Sequence, residues 1–303
     1  MVRPVTFDNR PGRRLFCFGR GYSASALADA LLAEGWAVAG TARTEDACAA
    51  LRARGIEAHR YAPDHPLADP AAALAGSTHL LSSVPPDAAG DPVLRDCGAA
   101  LAARSDLAWV GYLSTTGVYG DRAGGWVDED SARAPSGERG ARRVAAEDAW
   151  LALWRDHGLP VHLFRLAGIY GPGRNALRTV LGGRARRLVK PGQVFSRIHL
   201  ADIVAALRAS IARPAPGRAY NLCDDEAAPP QDVIAYACTL LGIAPPPEEA
   251  FDENRLSPMA RSFYADNKRV RNGRIKAELG VVLAYPDYRK GLEALLDEER
   301  STS

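Results

Sequence analysis

The residues with the plainest chemical use lie between Arg14 and Arg43. An apolar run, Leu15-Phe16-Cys17-Phe18, gives way to Gly19-Arg20-Gly21-Tyr22-Ser23-Ala24. A helical pattern with Leu27, Leu31 and Leu32 follows, then a second run ending Thr41-Ala42-Arg43. Gly19 lets the chain turn sharply off a strand, Gly21 lets the backbone approach a pyrophosphate, and Ala24 is small enough for the next helix to pack on a sheet. With Tyr22 and Ser23 in its first turn, that helix would offer its N–H groups and dipole to the negative charge. Strand, glycine turn, helix and strand in this order form a unit that holds a dinucleotide. A glycine turn in some other α/β fold is the plainer alternative.

The end of the second strand selects the cofactor. Asp or Glu there holds a ribose 2′-OH, whereas Arg accommodates a 2′-phosphate. This chain has Thr41 and Arg43, with Arg20 as a second cation inside the turn. The expectation is therefore NADP rather than NAD, against the reading of both arginines as solvated surface charges.

These groups need a scaffold, and the pattern downstream supplies one. A helix is expected over 45–54, a strand over 56–61, a small helix near 69–74, a buried strand at 79–83, a helix over 92–103 and a strand over 107–113. Strands alternating with helices at this spacing imply a parallel, doubly wound sheet whose ligands lie at the strands' C-terminal ends. Ser82, Ser83 and the run Ser114-Thr115-Thr116 fall at two such ends.

Composition sets the bounds. The 303 residues suffice for one large or two modest domains, and 47% hydrophobic with 24% charged residues is ordinary for a globular protein. A net charge of +2 gives no global field for nucleic acid or an acidic membrane. Five scattered cysteines without a Cys-x-x-Cys pair read as reduced thiols of a cytoplasmic protein. No apolar run is long enough to span a bilayer, and the scattered histidines make a metal site improbable. Residues 1–13 read as a loose arm.

Further motifs carry a resemblance. Ser114-Thr-Thr-Gly-Val-Tyr-Gly120, Ile169-Tyr-Gly-Pro-Gly173, Ile198-His-Leu-Ala-Asp202 and Tyr220-Asn-Leu222 follow the glycine turn in order. Together they resemble the extended short-chain dehydrogenase/reductase superfamily, the branch of NAD-dependent nucleotide-sugar epimerases and dehydratases. The resemblance implies a Rossmann-type doubly wound sheet with a smaller, mainly helical C-terminal substrate lobe. It puts the NAD(P)-binding domain at 14–166 and 198–224, and the lobe at 167–197 and 225–303. It implies that Thr115 holds the reacting oxygen of a small-molecule substrate. A strand-end cap is the plainer role for that hydroxyl.

The chain departs from the family at its proton-transfer pair. No tyrosine lies between Tyr119 and Tyr170, and the first lysine is Lys190, so the Tyr-x-x-x-Lys pair is absent. Matching Arg143-Val-Ala-Ala-Glu147 to the family's Lys-x-x-x-Glu puts Arg143 in the lysine's place and Arg139 in the tyrosine's. A guanidinium does not give up its proton at working pH, so Arg139 cannot replace the tyrosine as a donor. Tyr119, Glu138, Tyr170 or water would have to supply the proton, although core packing suits both tyrosines. The chain therefore resembles the atypical members. It reads either as an oxidoreductase or epimerase-like enzyme on an anionic or nucleotide-linked substrate, or as an NADP sensor or scaffold without turnover. The polar, glycine-rich segment 121–138 reads as a flexible lid. The basic run from Arg174 to Lys190 reads as an anion grip or as a surface face. The stripe on the helix at 138–156 serves either a homodimer interface or the core.

Overall fold

The computed structural model describes residues 12–256 and 258–301. The loose arm expected at residues 1–13 lies outside them except for Gly12 and Arg13. In chain order the first half comprises β1 (Arg14–Phe18), α1 (Tyr22–Ala33), β2 (Ala37–Ala42), α2 (Glu45–Arg52), β3 (Glu57–Arg60), α3 (Pro70–Leu74), β4 (His79–Ser82), α4 (Pro92–Ala102), β5 (Trp109–Thr115), β6 (Trp126–Val127) and α5 (Glu138–His157). It continues with β7 (Val161–Leu166), β8 (Gly168–Tyr170), α6 (Ala176–Leu181), β9 (Arg187–Val189), β10 (Arg197–His199), α7 (Leu200–Ala212) and β11 (Ala219–Leu222). The last part holds α8 (Pro230–Leu241), β12 (Glu248–Ala250), α9 (Pro258–Tyr264), β13 (Arg269–Val270), α10 (Gly273–Leu279) and α11 (Tyr288–Ser301).

Seven strands form one sheet in the order β11-β7-β5-β4-β1-β2-β3. Pairs β1–β2, β1–β4, β2–β3 and β4–β5 are parallel, as expected for a doubly wound α/β fold. The order reverses between β1 and β4, which makes the C-terminal ends of those two strands the topological switch point where ligands bind in such sheets. Strand β5 ends two residues later than the periodicity suggested, so Thr115 closes the strand.

The chain divides into two compact units. The first comprises the described residues up to Ser114 together with Arg142–Arg165 and Val204–Tyr220. Its core packs Phe16, Phe18, Val110, Tyr112, Trp150 and Leu163, all fully buried. The starts of α2, α3 and α4 are capped by side chains: Thr44 accepts from Ala47 N, Asp69 from Ala72 N, and Asp91 from Val93 N and Leu94 N. Such caps each stabilise a helix by about 1 kcal/mol.

The second unit comprises Thr115–Ala141, Leu166–Ile203 and the described residues from Asn221 onward. Tyr170, Leu177, Ala237, Leu292 and Leu295 form its core. Here β8 pairs with β10, β9 with β12 and β6 with β13. The last pairing alters the reading of segment 121–138 as a flexible lid. Backbone bonds from Arg122 N and Gly124 N to Asn267 O, Arg269 N to Gly125 O and Arg271 N to Val127 O tie it down. Lys268 Nζ adds a bond to Gly120 O at 2.9 Å, and Arg269 Nη1 donates to Gly124 O. Polarity and glycine content alone could not reveal this clasp, because its other half lies about 145 residues away.

All five cysteines, Cys17, Cys48, Cys97, Cys223 and Cys238, are free and buried. Among the described residues, no helix is long and apolar enough to cross a membrane.

Candidate dinucleotide and substrate site

In the first unit the turn after β1 is held from two sides. Gly19 N donates to Thr41 Oγ1 at 2.8 Å, tying the turn to the end of β2. Ser83 Oγ, just past β4, donates to Gly19 O at 2.8 Å, and Ser83 N donates to Phe18 O at 2.9 Å. Gly19 adopts φ +75°, and a Cβ there would lie 3.1 Å from Ser83 Oγ and 3.2 Å from Val84 Cγ2. Both conformation and space therefore demand glycine. Gly21 differs: its φ is −72°, and an added Cβ would meet nothing within 4 Å. It is the N-cap of α1 without a side-chain cap, so the helix start is not covered by a side chain of its own.

Ala24 is fully buried, consistent with its packing role, and Ser23 is buried beside it. Tyr22 is half-buried at the head of α1. Ser82 is buried, and its hydroxyl has no hydrogen-bond partner among the described residues. An open surface over Gly21, an uncapped helix start and an orphaned hydroxyl fit a dinucleotide at the switch point.

The two cations of this region are placed differently. Arg43 is exposed and makes no hydrogen bond or ion pair among the described residues. Arg20 folds inward instead: its Nη2 meets Asp29 Oδ1 at 2.8 Å, with only 4% of its side chain exposed. Its Nε and Nη1 are buried without partners. Arg54 shares the same Asp29 oxygen at 2.9 Å.

Below the end of β5, sequence reasoning missed a buried polar triad. Glu147 is fully buried and accepts from Ser114 Oγ at 2.6 Å and from Arg165 Nη2 at 2.8 Å. Arg165 is itself 5% exposed. A glutamate inside an amphipathic helix and an arginine inside an apolar strand were the available signals. Arg143, in the family lysine's place, donates from Nη1 to Leu113 O at 2.8 Å and to Tyr112 Oη at 3.0 Å. It clamps the end of β5 from α5.

The second unit carries the remaining expected residues. Thr115 Oγ1 accepts from Gly117 N at 3.1 Å, which is the strand-end cap. Tyr119 is fully buried and donates to Asn221 Oδ1 at 2.7 Å. Tyr170 is buried against Gly291, donates to Asp287 O at 3.3 Å, and burial raises its pKa. Arg139 is exposed and lies over the ring of Phe263 at 5.8 Å. In the same unit Tyr264 stacks edge-on with Phe195 at 5.4 Å and leans on Phe251 at 5.1 Å, while Lys190 Nζ sits 5.2 Å over Phe251. Asp202 braces the approach to α11 by accepting from Ala284 N and Tyr285 N at 2.7 and 3.1 Å.

Protein YeeZ of Escherichia coli K12 is 30% identical over 291 residues, covering 91% of this chain and 97% of that protein. This chain belongs to the YeeZ family. No family model matches it. A solved structure described as a functionally unknown conserved protein from Silicibacter pomeroyi DSS is 54% identical, with a TM-score of 0.87 over 94% of this chain and 99% of that one. A UDP-glucuronic acid 4-epimerase from Bacillus cereus, solved with UDP-glucuronic acid and NAD, is 16% identical with a TM-score of 0.77, covering 96% of this chain and 100% of that one. The YeeZ-family chain thus shares the doubly wound α/β fold of that epimerase.

Proposed function

We propose that this YeeZ-family protein is a cytoplasmic, NADP-binding oxidoreductase or epimerase-like enzyme acting on a small anionic, nucleotide-linked substrate. The observation that carries the reading is the locked but open turn: Thr41 and Ser83 fix Gly19, while the surface over Gly21 stays clear. In this reading Gly19, Gly21, Tyr22, Ser23 and Ala24 receive the pyrophosphate, and Ser82 and Ser83 face the cofactor beyond β4. Arg43 meets the 2′-phosphate, and Arg20 adds positive potential from beneath. The Bacillus cereus epimerase holds NAD, so the preference for NADP rests on this chain's own β2 end, where Arg43 stands and no carboxylate does. Bound nicotinamide would supply or accept hydride.

Residues 167–197 and 225–303 form the substrate lobe in this reading, and residues 14–166 with 198–224 the dinucleotide domain. Exposed Phe263 with Arg139 above it, and the Phe195–Tyr264–Phe251 group beside Lys190, offer ring faces and cations to a nucleobase and its phosphates. Thr115 would orient the reacting oxygen once substrate competes for its hydroxyl.

A second reading, an NADP sensor without turnover, draws on the buried phenols. Tyr119 is committed to Asn221 and Tyr170 faces a backbone carbonyl, so neither stands ready as a proton donor. Calorimetric titration with NADP and with NAD, repeated on Arg43→Glu, tests the shared premise. NADP binding that weakens at least tenfold in the variant supports it; no binding of either dinucleotide defeats both readings. Nicotinamide absorbance recorded with a panel of UDP-sugars and simple carbonyls then separates enzyme from sensor.

A further inference from the structure

The second unit contains a cavity of about 330 Å³, lined from the stretches read above as the substrate lobe and by none of the residues named above for the dinucleotide. Its lining is partly apolar, from Ile169, Val233, Ile234 and Leu292, and partly cationic, from exposed Arg174 and Arg186 and from Arg197 on β10. Arg186 is tied to Glu249 at 2.6 Å, so its charge is partly balanced. Arg197 is less well served. Its Nη1 donates to Phe195 O and Ala228 O at 2.8 and 3.0 Å, whereas its Nε and Nη2 donate to nothing among the described residues.

Among the described residues no carboxylate lines the cavity. The acid nearest in effect is buried Asp224, whose pKa burial pushes up to about 8 against the opposing pull of Arg197. Burial thus disfavours the carboxylate form that would offset the guanidinium charge. Pro230, which also lines the cavity, opens α8, a twelve-residue helix with no side-chain cap, and the helix dipole adds to the positive potential. A planar fork with two open donors suits an oxyanion, and the apolar part of the lining suits an apolar body.

We propose that this cavity binds a small organic anion, a phosphate monoester or carboxylate attached to an aromatic or branched apolar group, at a site separate from the dinucleotide turn. The anion docks on Arg197, Arg174 closes over it from the rim, and the apolar group lies against Val233 and Ile234. This assignment stands independently of the oxidoreductase reading.

Calorimetric titration of the full chain with phenyl phosphate and with benzoate tests it. At least one probe is expected to bind saturably, one per chain. Its affinity should fall at least tenfold both in Arg197→Gln and in Ile234→Trp, which fills the cavity. Phenyl phosphate binding alone identifies a phosphate monoester, and benzoate binding alone a carboxylate. Should Arg197→Gln fail to fold, Ile234→Trp decides, its thermal midpoint showing that the fold is kept. No saturable heat with either probe, or binding unchanged by Ile234→Trp, overturns the proposal. A separate NADP titration keeps the two questions apart, because losing one ligand need not affect the other.

Discussion

The turn after β1 and the loop after β5 begin alike, each with a strand end, a hydroxyl and a glycine, yet they use their polar groups in opposite ways. After β1, the hydrogen bonds of Thr41 and Ser83 go to the backbone of Gly19, and Gly21 and Arg43 are left open. After β5, the chemistry-bearing side chains are bound internally. Thr115 caps Gly117, Tyr119 holds Asn221 and Arg143 clamps Leu113. In the proposed reading the first arrangement meets a ligand, while the second holds its own shape. Around that position the polar side chains named here bond within the chain.

Four perturbations and one matched control would break or sharpen this contrast. The largest effect is expected from Glu147→Gln, which leaves Arg165 buried without its counter-charge. Removing one partner of a buried pair costs about 3–5 kcal/mol, so the urea midpoint should fall sharply. An unchanged midpoint would remove Glu147 from the structural side of the contrast. Next comes Gly120→Ala. Gly120 has φ +68°, and a Cβ would overlap the Ala134 carbonyl, so about 2–4 kcal/mol should be lost. Gly21→Ala is the matched control. It should cost under about 1 kcal/mol in stability yet weaken NADP binding at least tenfold, and the idea fails if stability and binding fall together.

The third is an acid effect. His162 is buried as the neutral imidazole: Nδ1 faces Val110 O, and Nε2 accepts from Ala215 N at 2.8 Å. Desolvation lowers its pKa to about 4 from an ordinary 6.5. The unfolded chain therefore takes up a proton first, and this contribution to stability is lost as pH falls from about 6.5 to 4. In His162→Gln the slope of stability against pH across that window should drop by up to about one proton; an identical slope would show that His162 does not titrate this way. The smallest effect belongs to Thr115→Ala. Loss of the Gly117 cap should cost about 1 kcal/mol in thermal unfolding, and loss of substrate turnover beyond that would reveal a second role for the hydroxyl.

Much of this was legible in the sequence where the information is local. The glycine turn and the alternation of β1 to β5 with their helices follow from periodicity and spacing. The start of β5 was misplaced because its apolar run extends beyond the paired segment. What escaped depends on long-range pairing. The two-residue strands β6 and β13 have too little pattern to be seen singly, and the Ser114–Glu147–Arg165 triad draws on three separate elements. Arg20 shows the same limit. Its position in the turn suggested a cation facing the ligand, while the side chain bends to Asp29, nine residues along on α1.

The buried thiols also make the protein a gauge of its own opening. Burial pushes Cys17 and Cys97 up to about 12 and Cys223 well above the ordinary thiol range, so almost no thiolate is present at neutral pH. A thiol reagent must wait for the surrounding structure to part before it can react. Cys17, Cys48 and Cys97 lie in the first unit, and Cys223 and Cys238 in the second. Labelling rates mapped to each cysteine would time the breathing of each half separately in the native protein, without an introduced probe.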